Sequence, residues 1–238
     1  MLLKDKNLYA TVYGGNSTNP GTTTEADEHI ALALALAYNT WHVKHYLTDA
    51  RNILADIWDH ETATVQDTRY IIAGDWAKGG SALTISPAAL MPFAYRVFDS
   101  IDSSHDWGKL VDSSYQLLSA CTEAPLNTNG TAHVPPNWCV LTNHNTITAA
   151  TIDAHASDYS YDAHRVILYT ALDYLINGNI KAKQYLEKMT LWKEEWQKHN
   201  AIYSAYDHDG TVLGKTESMA QYGVLLAYFS VVDRTVIS

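Results

Sequence analysis

The chain has 238 residues, of which 47% are hydrophobic and 18% are charged. This balance is typical of one globular domain with a sizeable core, and it excludes a disordered or membrane-embedded chain. A formal net charge of −10 argues against nucleic acid as a partner. We expect residues 1–238 to form a single domain, with no membrane span and no signal peptide within this sequence.

The first predicted helix, 24–41, is the most informative stretch of the chain. Thr24 is predicted to cap it, with Asp27 completing a capping box. The residues that follow are apolar without interruption, so we expect this helix to be buried on every side. Its N-terminus also carries the acids Glu25, Asp27 and Glu28, which is more charge than a helix dipole needs. These acids are interpreted either as the rim of a cleft or as solvated groups on an ordinary core helix.

The other predicted helices alternate between two kinds. Helices with apolar residues on most sides are predicted at 87–100, 161–176 and 218–232. Helices with one apolar face are predicted at 46–60, 107–121 and 181–198. Short strands are predicted at 8–13 and 68–73, with a turn at 14–16, and the segments 201–206 and 211–213 are predicted to flank a hairpin turn. A long polar loop leads to a short segment at 138–141. The stretch 207–210 is interpreted as a hairpin turn and not as a calcium loop, because its glycine comes too early and the closing acid is missing.

This alternation predicts an all-α toroid of helical hairpins, with an inner ring of buried helices and an outer ring of amphipathic ones. The loops before the inner helices would then meet at one end and form a cleft there. Sixteen Tyr and seven Trp suit a sugar site, because rings stack on apolar C–H faces while carboxylates bind hydroxyls, although most of them must be core residues. The residues predicted at this end are Glu25, Asp27, Trp76, Tyr161 and Asp162.

Two local patterns near this end suggest chemistry. Asp162 and Arg165 are three residues apart at the start of a helix, so they can pair on one face. The pair is interpreted either as structural or as a carboxylate that its arginine keeps ionised, which suits a general base. Trp76 lies in a loop and not in a helical stripe, so it is interpreted either as a sugar platform or as loop packing.

No metal site or cofactor is predicted. His42 and His45 share a helix face and His60 is next to Glu61, but the sequence provides no third ligand for either pair. The sequence also lacks a phosphate-binding glycine loop and a nucleophile elbow.

Four stretches, in their order along the chain, resemble glycoside hydrolase family 8. The family signature A-[ST]-D-[AG]-D, followed by an apolar run, is matched in most positions by Thr23-Thr24-Glu25-Ala26-Asp27 and the residues up to Trp41. The base motif Tyr-Asp-Ala-x-Arg stands at 161–165, and the blocks 73–76 and 92–98 are similar as well. The resemblance extends from about residue 8 to about residue 229.

The resemblance implies an (α/α)6 barrel that cleaves β-1,4-linked polysaccharides such as cellulose, mixed-linkage glucan, xylan or chitosan with inversion at the anomeric carbon. Asp162 would be the general base, and Glu25 would hold the distorted sugar at the cleavage point. Tyr161 and Arg165 would position the base, and Trp76 would stack on a sugar. The implied substrate-binding residues are Tyr161, Arg165, Trp76 and Asp27.

Three departures from the family pattern bear on the substrate. The first aspartate of the signature is Glu25 here, which is one methylene longer. The family's Pro-Ser-Tyr is Pro87-Ala88-Ala89, so a sugar-contacting tyrosine is missing, and a tryptophan near the first strand is replaced by Thr11. These changes weaken the expectation of cellulose and allow another β-linked glycan, such as a bacterial exopolysaccharide.

The largest departure concerns the general acid. In the family it is a glutamate in a Ser-Glu-Gly-type motif, and this sequence has no such motif. Seven helices are predicted where the barrel has twelve, so we expect an incomplete barrel, cut at both ends, with little activity of its own. One alternative is a non-catalytic glycan-binding or regulatory remnant of the same fold. Another is a fragment that is unstable alone because apolar faces are uncovered.

Partners and location follow mostly from the resemblance. A polysaccharide or oligosaccharide is the expected ligand, and a monomer is the expected state. Secretion or a cell-surface location is expected from the family. Cys121 and Cys139 are too few for a disulfide framework and do not have zinc-site spacing, so they are either free or form one bridge.

Overall fold

The structure, a computed structural model, describes residues 2–3, 5–11 and 21–236. These residues are mostly helical, as predicted. The α-helices are α1 (Thr24–Trp41), α2 (Lys44–His60), α3 (Pro92–Ile101), α4 (Trp107–Glu123), α5 (Tyr161–Asn177), α6 (Ile180–Glu187), α7 (Leu191–His199) and α8 (Met219–Val232). No helix in the described ranges is both long enough and apolar enough to cross a membrane.

The helices pack in two layers. In the inner layer α3 packs against both α1 and α5, and α8 packs against α5. In the outer layer α2 packs against α1, α4 against α3, and α6 against α5. This is the order in which the sequence predicted inner and outer helices. The N-termini of α1 and α5, where the predicted site residues lie, therefore belong to the same layer.

Large aromatic side chains fill the space between α3 and α4. Trp107 is fully buried, and its ring lies 5.1 Å from that of Phe98 and 5.9 Å from that of Tyr95. The Trp107 indole donates a hydrogen bond to Asp102 Oδ2 at 2.9 Å, so its polar atom is satisfied inside the core. This cluster attaches the outer helix α4 to the inner helix α3.

The prediction that α1 is buried on every side is wrong. Leu36 is 51% exposed, whereas the buried positions form one face of the helix: Thr24, Asp27, Glu28, Ala31 and Ala35. The neighbours of α1 in the described residues are mainly α2 and α3, which cover only this face. The sequence shows that a helix is apolar all round, but it does not show how many neighbours cover it.

The predicted capping box at the start of α1 is also wrong. The N-cap residue is Thr23, and its side chain makes no capping hydrogen bond. Thr24 instead donates from its hydroxyl to the Ile72 carbonyl at 2.7 Å. Asp27 accepts a hydrogen bond from the Tyr9 backbone N–H at 2.9 Å and does not reach back to the cap. The side chains of Thr24 and Asp27 thus form hydrogen bonds with residues distant in sequence and not with the cap of their own helix.

Two predicted helices are interrupted. The stretch 87–100 forms a short 3-10 turn, and α3 then starts at Pro92, because proline lacks an N–H and disfavours helical geometry in the residue before it. The stretch 181–198 divides into α6 and α7 around Met189. The Met189 side chain is fully buried and its carbonyl accepts a hydrogen bond from the Tyr228 hydroxyl at 2.6 Å, so packing on α8 overrides helix propensity there.

Short strands occupy the connections between helices. They are β1 (Thr62–Val65), β2 (Thr68–Ile71), β3 (Lys78–Gly79), β4 (Ala82–Ile85), β5 (Cys139–Thr142), β6 (Ile147–Ala149), β7 (Tyr203–Tyr206) and β8 (Val212–Glu217). β1 pairs with β2, β3 to β6 form a four-stranded antiparallel sheet in that order, and β7 pairs with β8. The β7–β8 pair is the predicted hairpin around 207–210.

Some strands differ from the prediction. β1 was not predicted, because its turn has Gln66 and Asp67 at φ values of 45° and 65° where a glycine would have signalled a hairpin. The predicted strand 8–13 has only isolated bridges in its described part, Leu2 with Tyr9 and Ala10 with Thr22. The rest of that strand and the predicted turn at 14–16 lie outside the described residues.

A disulfide joins Cys121, near the end of α4, to Cys139, the first residue of β5. The sequence had left the state of these cysteines open. The bridge closes a loop with a sequence separation of 18 residues, and this loop carries the polar segment that leads to Trp138. Cross-links of this kind stabilise a fold mainly by restricting the unfolded chain.

Candidate active site

An arginine joins the two carboxylates that the sequence singled out. Arg165 on α5 forms an ion pair with Glu25 on α1, with 2.5 Å between Nε and Oε1. Its Nη2 donates a hydrogen bond to Asp162 Oδ1 at 2.8 Å, one turn earlier on α5. This single guanidinium cation thus binds carboxylates from two inner helices. The predicted pairing of Asp162 with Arg165 is confirmed, and its connection to Glu25 is additional.

A tyrosine and a histidine complete the surroundings of Glu25. The Tyr169 hydroxyl donates a hydrogen bond to Glu25 Oε1 at 2.7 Å, and His29 Nε2 lies 2.7 Å from the same hydroxyl. Burial, together with the negative charge of Glu25, raises the pKa of Tyr169, so its hydroxyl stays protonated and donates. Because that single proton goes to Glu25, His29 must donate to the tyrosine oxygen from Nε2.

A second acidic cluster lies below the first turn of α1. Asp27, Glu28 and Glu61 are all fully buried. Burial raises the pKa of each of them. The charge of Asp27 raises the pKa of Glu61 further, whereas hydrogen bonding with Glu61 lowers that of Asp27. Glu61 accepts a hydrogen bond from the Thr22 hydroxyl, and Glu28 accepts one from the Tyr95 hydroxyl at 3.1 Å. Carboxyl groups in this environment tend to remain protonated.

This burial bears on one predicted role. Asp27 was predicted to bind substrate; its side chain is fully buried in the structure, and its binding role stays a prediction. Its contact with Tyr9 and its neighbour Glu61 give it a place in the support of α1. The structure therefore separates Glu25, which belongs to the Arg165 cluster, from Asp27, which lies beneath it.

Trp76 is held as an exposed ring at the edge of a cavity. Its indole N–H donates to the Thr22 carbonyl at 2.9 Å, and 44% of the residue is exposed. Two glycines allow this close packing, since a Cβ on Gly21 would lie 2.5 Å from the Trp76 ring and one on Gly74 would lie 2.6 Å from it. This cavity has a volume of about 440 Å³ and is lined by Thr11, Gly21, Asp75 and Trp76.

Further contacts connect this edge to the rest of the site. The Trp138 ring lies 6.2 Å from the Trp76 ring, and Lys6 forms an ion pair with Asp75 at 2.7 Å. Trp76 reaches the buried acids through Thr22, which bonds to both Trp76 and Glu61. Among the described residues no direct bond joins Trp76 to the Arg165 cluster.

The start of α5 is fixed from outside the helix. Its N-cap residue, Ser160, makes no side-chain capping bond. Asn137 takes this role: its Oδ1 accepts from the Ala163 N–H at 3.1 Å, and its Nδ2 donates to Ser160 Oγ at 2.7 Å. Tyr161, the first residue of the helix, is 66% exposed, so its ring is free for contact with a ligand. Asn137 thereby fixes the first turn of α5, which carries Asp162.

We expect Asn137→Ala to lower the free energy of unfolding by about 1 kcal/mol, the usual cost of losing a helix cap. It should also increase hydrogen exchange in the first turn of α5. Asn179→Ala is the matched control, because Asn179 caps α6 by accepting from the Lys181 N–H at 3.1 Å. The control should lose similar stability while exchange at the start of α5 stays unchanged. Equal hydrogen exchange at the start of α5 in both variants would contradict the assignment of Asn137 as the cap of that helix.

The histidines do not form a metal centre in the part of the chain that the structure describes. No group of three or more His, Cys, Asp or Glu side chains there could hold a metal ion. His42 ends α1 in the left-handed region, with φ of 55°, and its ring packs against Tyr38. His164 is buried, which lowers its pKa to about 4, and it donates from Nε2 to the Ser204 carbonyl at 3.0 Å.

Four residues of this site were not predicted from the sequence. Tyr169 and His29 could have been noticed through spacing, because Arg165 and Tyr169, like Glu25 and His29, are four apart on one helix face. Glu61 was considered only as a neighbour of His60, and nothing local marks it as buried. Asn137 lies in a polar loop without a recognisable pattern.

Solved structures share this arrangement of helices. A β-1,3-1,4-glucanase from Paenibacillus sp. X4 superposes with a TM-score of 0.79 at 21% identity, covering 93% of this chain and 60% of that one. An endoglucanase from Komagataeibacter sucrofermentans gives a TM-score of 0.78 at 21% identity, covering 97% and 69%. At these identities the likeness concerns the fold, which is that of helical-barrel glucanases.

The chain belongs to glycosyl hydrolases family 8, whose family model matches residues 8–227. It is 30% identical over 189 residues to endoglucanase A of Acetivibrio thermocellus, covering 78% of this chain and 36% of that protein. It is 25% identical over 232 residues to a β-glucanase of Niallia circulans, covering 93% and 54%. The chain thus spans about a third to a half of the length of these relatives.

Proposed function

We propose that this chain supplies the general base and sugar-binding residues of an inverting glycoside hydrolase site. The proposed substrate is a β-linked glucan or a related polysaccharide. The observation that carries the proposal is the guanidinium of Arg165, which bridges Glu25 and Asp162. The names of the relatives, endoglucanase and β-glucanase, support a β-glucan as the substrate class. Family membership supports glycoside hydrolysis as the reaction.

Asp162 acts in this proposal as the general base. It removes a proton from a water molecule, and the oxygen of that water attacks the anomeric carbon on the face opposite the leaving group. The C1–O bond breaks as the new bond forms, so the configuration inverts. The Asp162 side chain is neither buried nor fully exposed, with 39% of its surface accessible, which leaves room for the water. Arg165 orients the carboxylate through the hydrogen bond from Nη2 to Asp162 Oδ1.

Glu25 and two aromatic residues hold the sugar in the proposed site. Glu25 accepts hydroxyl hydrogen bonds from the ring at the cleavage point, where such bonds strengthen as the ring distorts. Trp76 and Tyr161, both exposed, provide apolar faces on which sugar rings stack. Asp27 supports the first turn of α1 from below.

The proton donor to the leaving oxygen is proposed to come from residues other than those of this sequence. The reason is the absence of a Ser-Glu-Gly-type motif from the 238 residues. A substrate whose leaving group needs no proton should then be cleaved far better than a natural oligosaccharide. β-Cellobiosyl fluoride is such a substrate, because fluoride departs as an anion without general-acid help.

The test follows both substrates with this chain by proton NMR. We expect β-cellobiosyl fluoride to yield the α-anomer of cellobiose first, while cellopentaose is bound and cleaved slowly. A β-anomer as the first product would exclude inversion. Equal turnover of the two substrates would place an acid within this chain. Binding of cellopentaose without cleavage of the fluoride would favour the alternative, a glycan-binding protein without catalysis.

We also propose that the protein works outside the cytosol. The Cys121–Cys139 disulfide supports this, because structural disulfides persist mainly in oxidising compartments. A polymeric glucan, the proposed substrate, would likewise be encountered outside the cell.

A further inference from the structure

The two oxygens of the Glu25 carboxylate have different surroundings. Oε1 accepts a hydrogen bond from the Tyr169 hydroxyl at 2.7 Å and forms an ion pair with Arg165 Nε at 2.5 Å, and His29 Nε2 lies 3.9 Å away. Oε2 has no hydrogen-bond partner among the residues that the structure describes. The side chain is 12% exposed, so the carboxylate is enclosed but not sealed. One oxygen is thus occupied by the protein and the other is available.

The groups around Oε1 come from facing turns of two helices. Glu25 and His29 are four residues apart on α1, and Arg165 and Tyr169 are four apart on α5. Residues with this spacing lie one above the other on the same helix face. The Phe93 ring on α3 packs against the Tyr169 ring with 5.5 Å between centroids, which restricts the tyrosine from the third side.

A glutamate needs this restriction more than an aspartate would. It has one more rotatable bond, so fixing its carboxylate costs more conformational entropy. A charge-assisted hydrogen bond from a buried tyrosine and an ion pair to arginine offset this cost and select one orientation. His29 in turn orients the Tyr169 hydroxyl by donating to its oxygen.

We infer that Tyr169 and His29 are positioning residues that hold Glu25 Oε1, so that Oε2 is the oxygen presented to the sugar at the cleavage point. This inference rests on the proposed function. Neither side chain needs to touch the substrate. Tyr169 acts through Glu25, and His29 acts through Tyr169.

The test is a double-mutant cycle on the turnover of β-cellobiosyl fluoride, with the variants Tyr169→Phe, Glu25→Ala and the combination. We expect Tyr169→Phe to lower kcat roughly 10- to 100-fold, as for the loss of a hydrogen bond to a charged group. In the Glu25→Ala background the same change should have almost no further effect. Fully additive losses would overturn the inference, because they would show that Tyr169 does not act through Glu25.

A second measurement does not depend on catalysis. A crystal structure of the Tyr169→Phe variant should show the Glu25 side chain in more than one rotamer, and His29→Ala should give a weaker form of the same change. A single unchanged Glu25 rotamer in Tyr169→Phe would contradict the inference. Tyr185→Phe is the matched control, because its buried hydroxyl bonds to Thr122 between α4 and α6 and should leave Glu25 unaffected.

The two measurements distinguish a failure of this inference from a failure of the proposed function. If the unmodified chain fails to cleave the fluoride while Glu25 becomes disordered in Tyr169→Phe, the hydrolase proposal fails and the geometric role of Tyr169 stands. If the unmodified chain inverts the fluoride and Tyr169→Phe changes neither rate nor rotamer, the hydrolase proposal stands and the positioning role fails.

Discussion

Asp162→Asn should lower the turnover of β-cellobiosyl fluoride by roughly 10²- to 10⁴-fold, the usual contribution of a general base. The amide has nearly the same shape and can still contact Arg165, but it cannot accept a proton from water. Cellopentaose binding should therefore change only a few-fold. Turnover is measured by fluoride release and binding by calorimetry.

Azide provides a rescue that a structural defect would not show. It is an anionic nucleophile that requires no base, so it can attack the anomeric carbon of the fluoride directly and displace fluoride. We expect azide to restore turnover in Asp162→Asn and to give the α-glycosyl azide. Asp112→Asn is the control, because Asp112 is an exposed carboxylate paired with Lys181 on the outer helices. Full activity of Asp162→Asn without azide would show that the base lies elsewhere.

Glu61→Gln should make the protein more stable above neutral pH than the unmodified chain. Burial, with repulsion from Asp27, raises the pKa of Glu61 from 4.5 to about 9. Below pH 4.5 both folded and unfolded chains hold this proton, and the contribution of Glu61 to stability is complete. As the pH rises from 4.5 toward 9, the unfolded chain releases the proton and the folded chain retains it, so stability falls.

The size of this effect follows from the linkage between protonation and folding. One proton held only in the folded state changes the free energy of unfolding by about 1.4 kcal/mol per pH unit. Glutamine removes this dependence, its oxygen can still accept from Thr22, and its amide can donate to Asp27. Urea unfolding at pH 5, 7 and 8.5 should show near-equal stability at pH 5 and a growing advantage for the variant.

The control for this prediction is Glu187→Gln. Glu187 is an exposed carboxylate that pairs with Lys183 at 3.6 Å on α6, and its removal should leave the pH slope of stability unchanged. A Glu61→Gln variant whose stability falls with pH as steeply as that of the unmodified chain would contradict the assignment of a protonated Glu61. The remaining slope should come from Asp27 and Glu28, whose raised pKa values have the same sign.

The local parts of the site were predictable because they depend on spacing within one helix. Asp162 and Arg165 share a face through a three-residue separation, and the motif around Glu25 places it at a helix start. The alternation of apolar and amphipathic helices predicted the two layers for the same reason. Each of these signals is read within about one or two turns of chain.

The remaining features depend on contacts between distant segments. The bond between Tyr169 and Glu25 spans 144 positions, and Thr22 meets Glu61 across 39. No local pattern distinguishes a buried Glu61 from a solvated one. The split at Met189 likewise depends on a hydroxyl from α8. Helix periodicity shows which residues prefer burial, and only the assembled layers show which polar groups are buried with them.

The bridge made by Arg165 has a consequence for how this site can evolve or be engineered. Since the guanidinium binds Glu25 and Asp162 at once, sugar recognition and the orientation of the proposed base are not separable traits. Shortening or neutralising residue 25 to accept another glycan loosens one of the two contacts that hold the Arg165 guanidinium, and Asp162 then loses part of its orientation. A successful change of specificity would therefore require a compensating second substitution near Arg165, and single-site libraries at Glu25 would be dominated by slow variants.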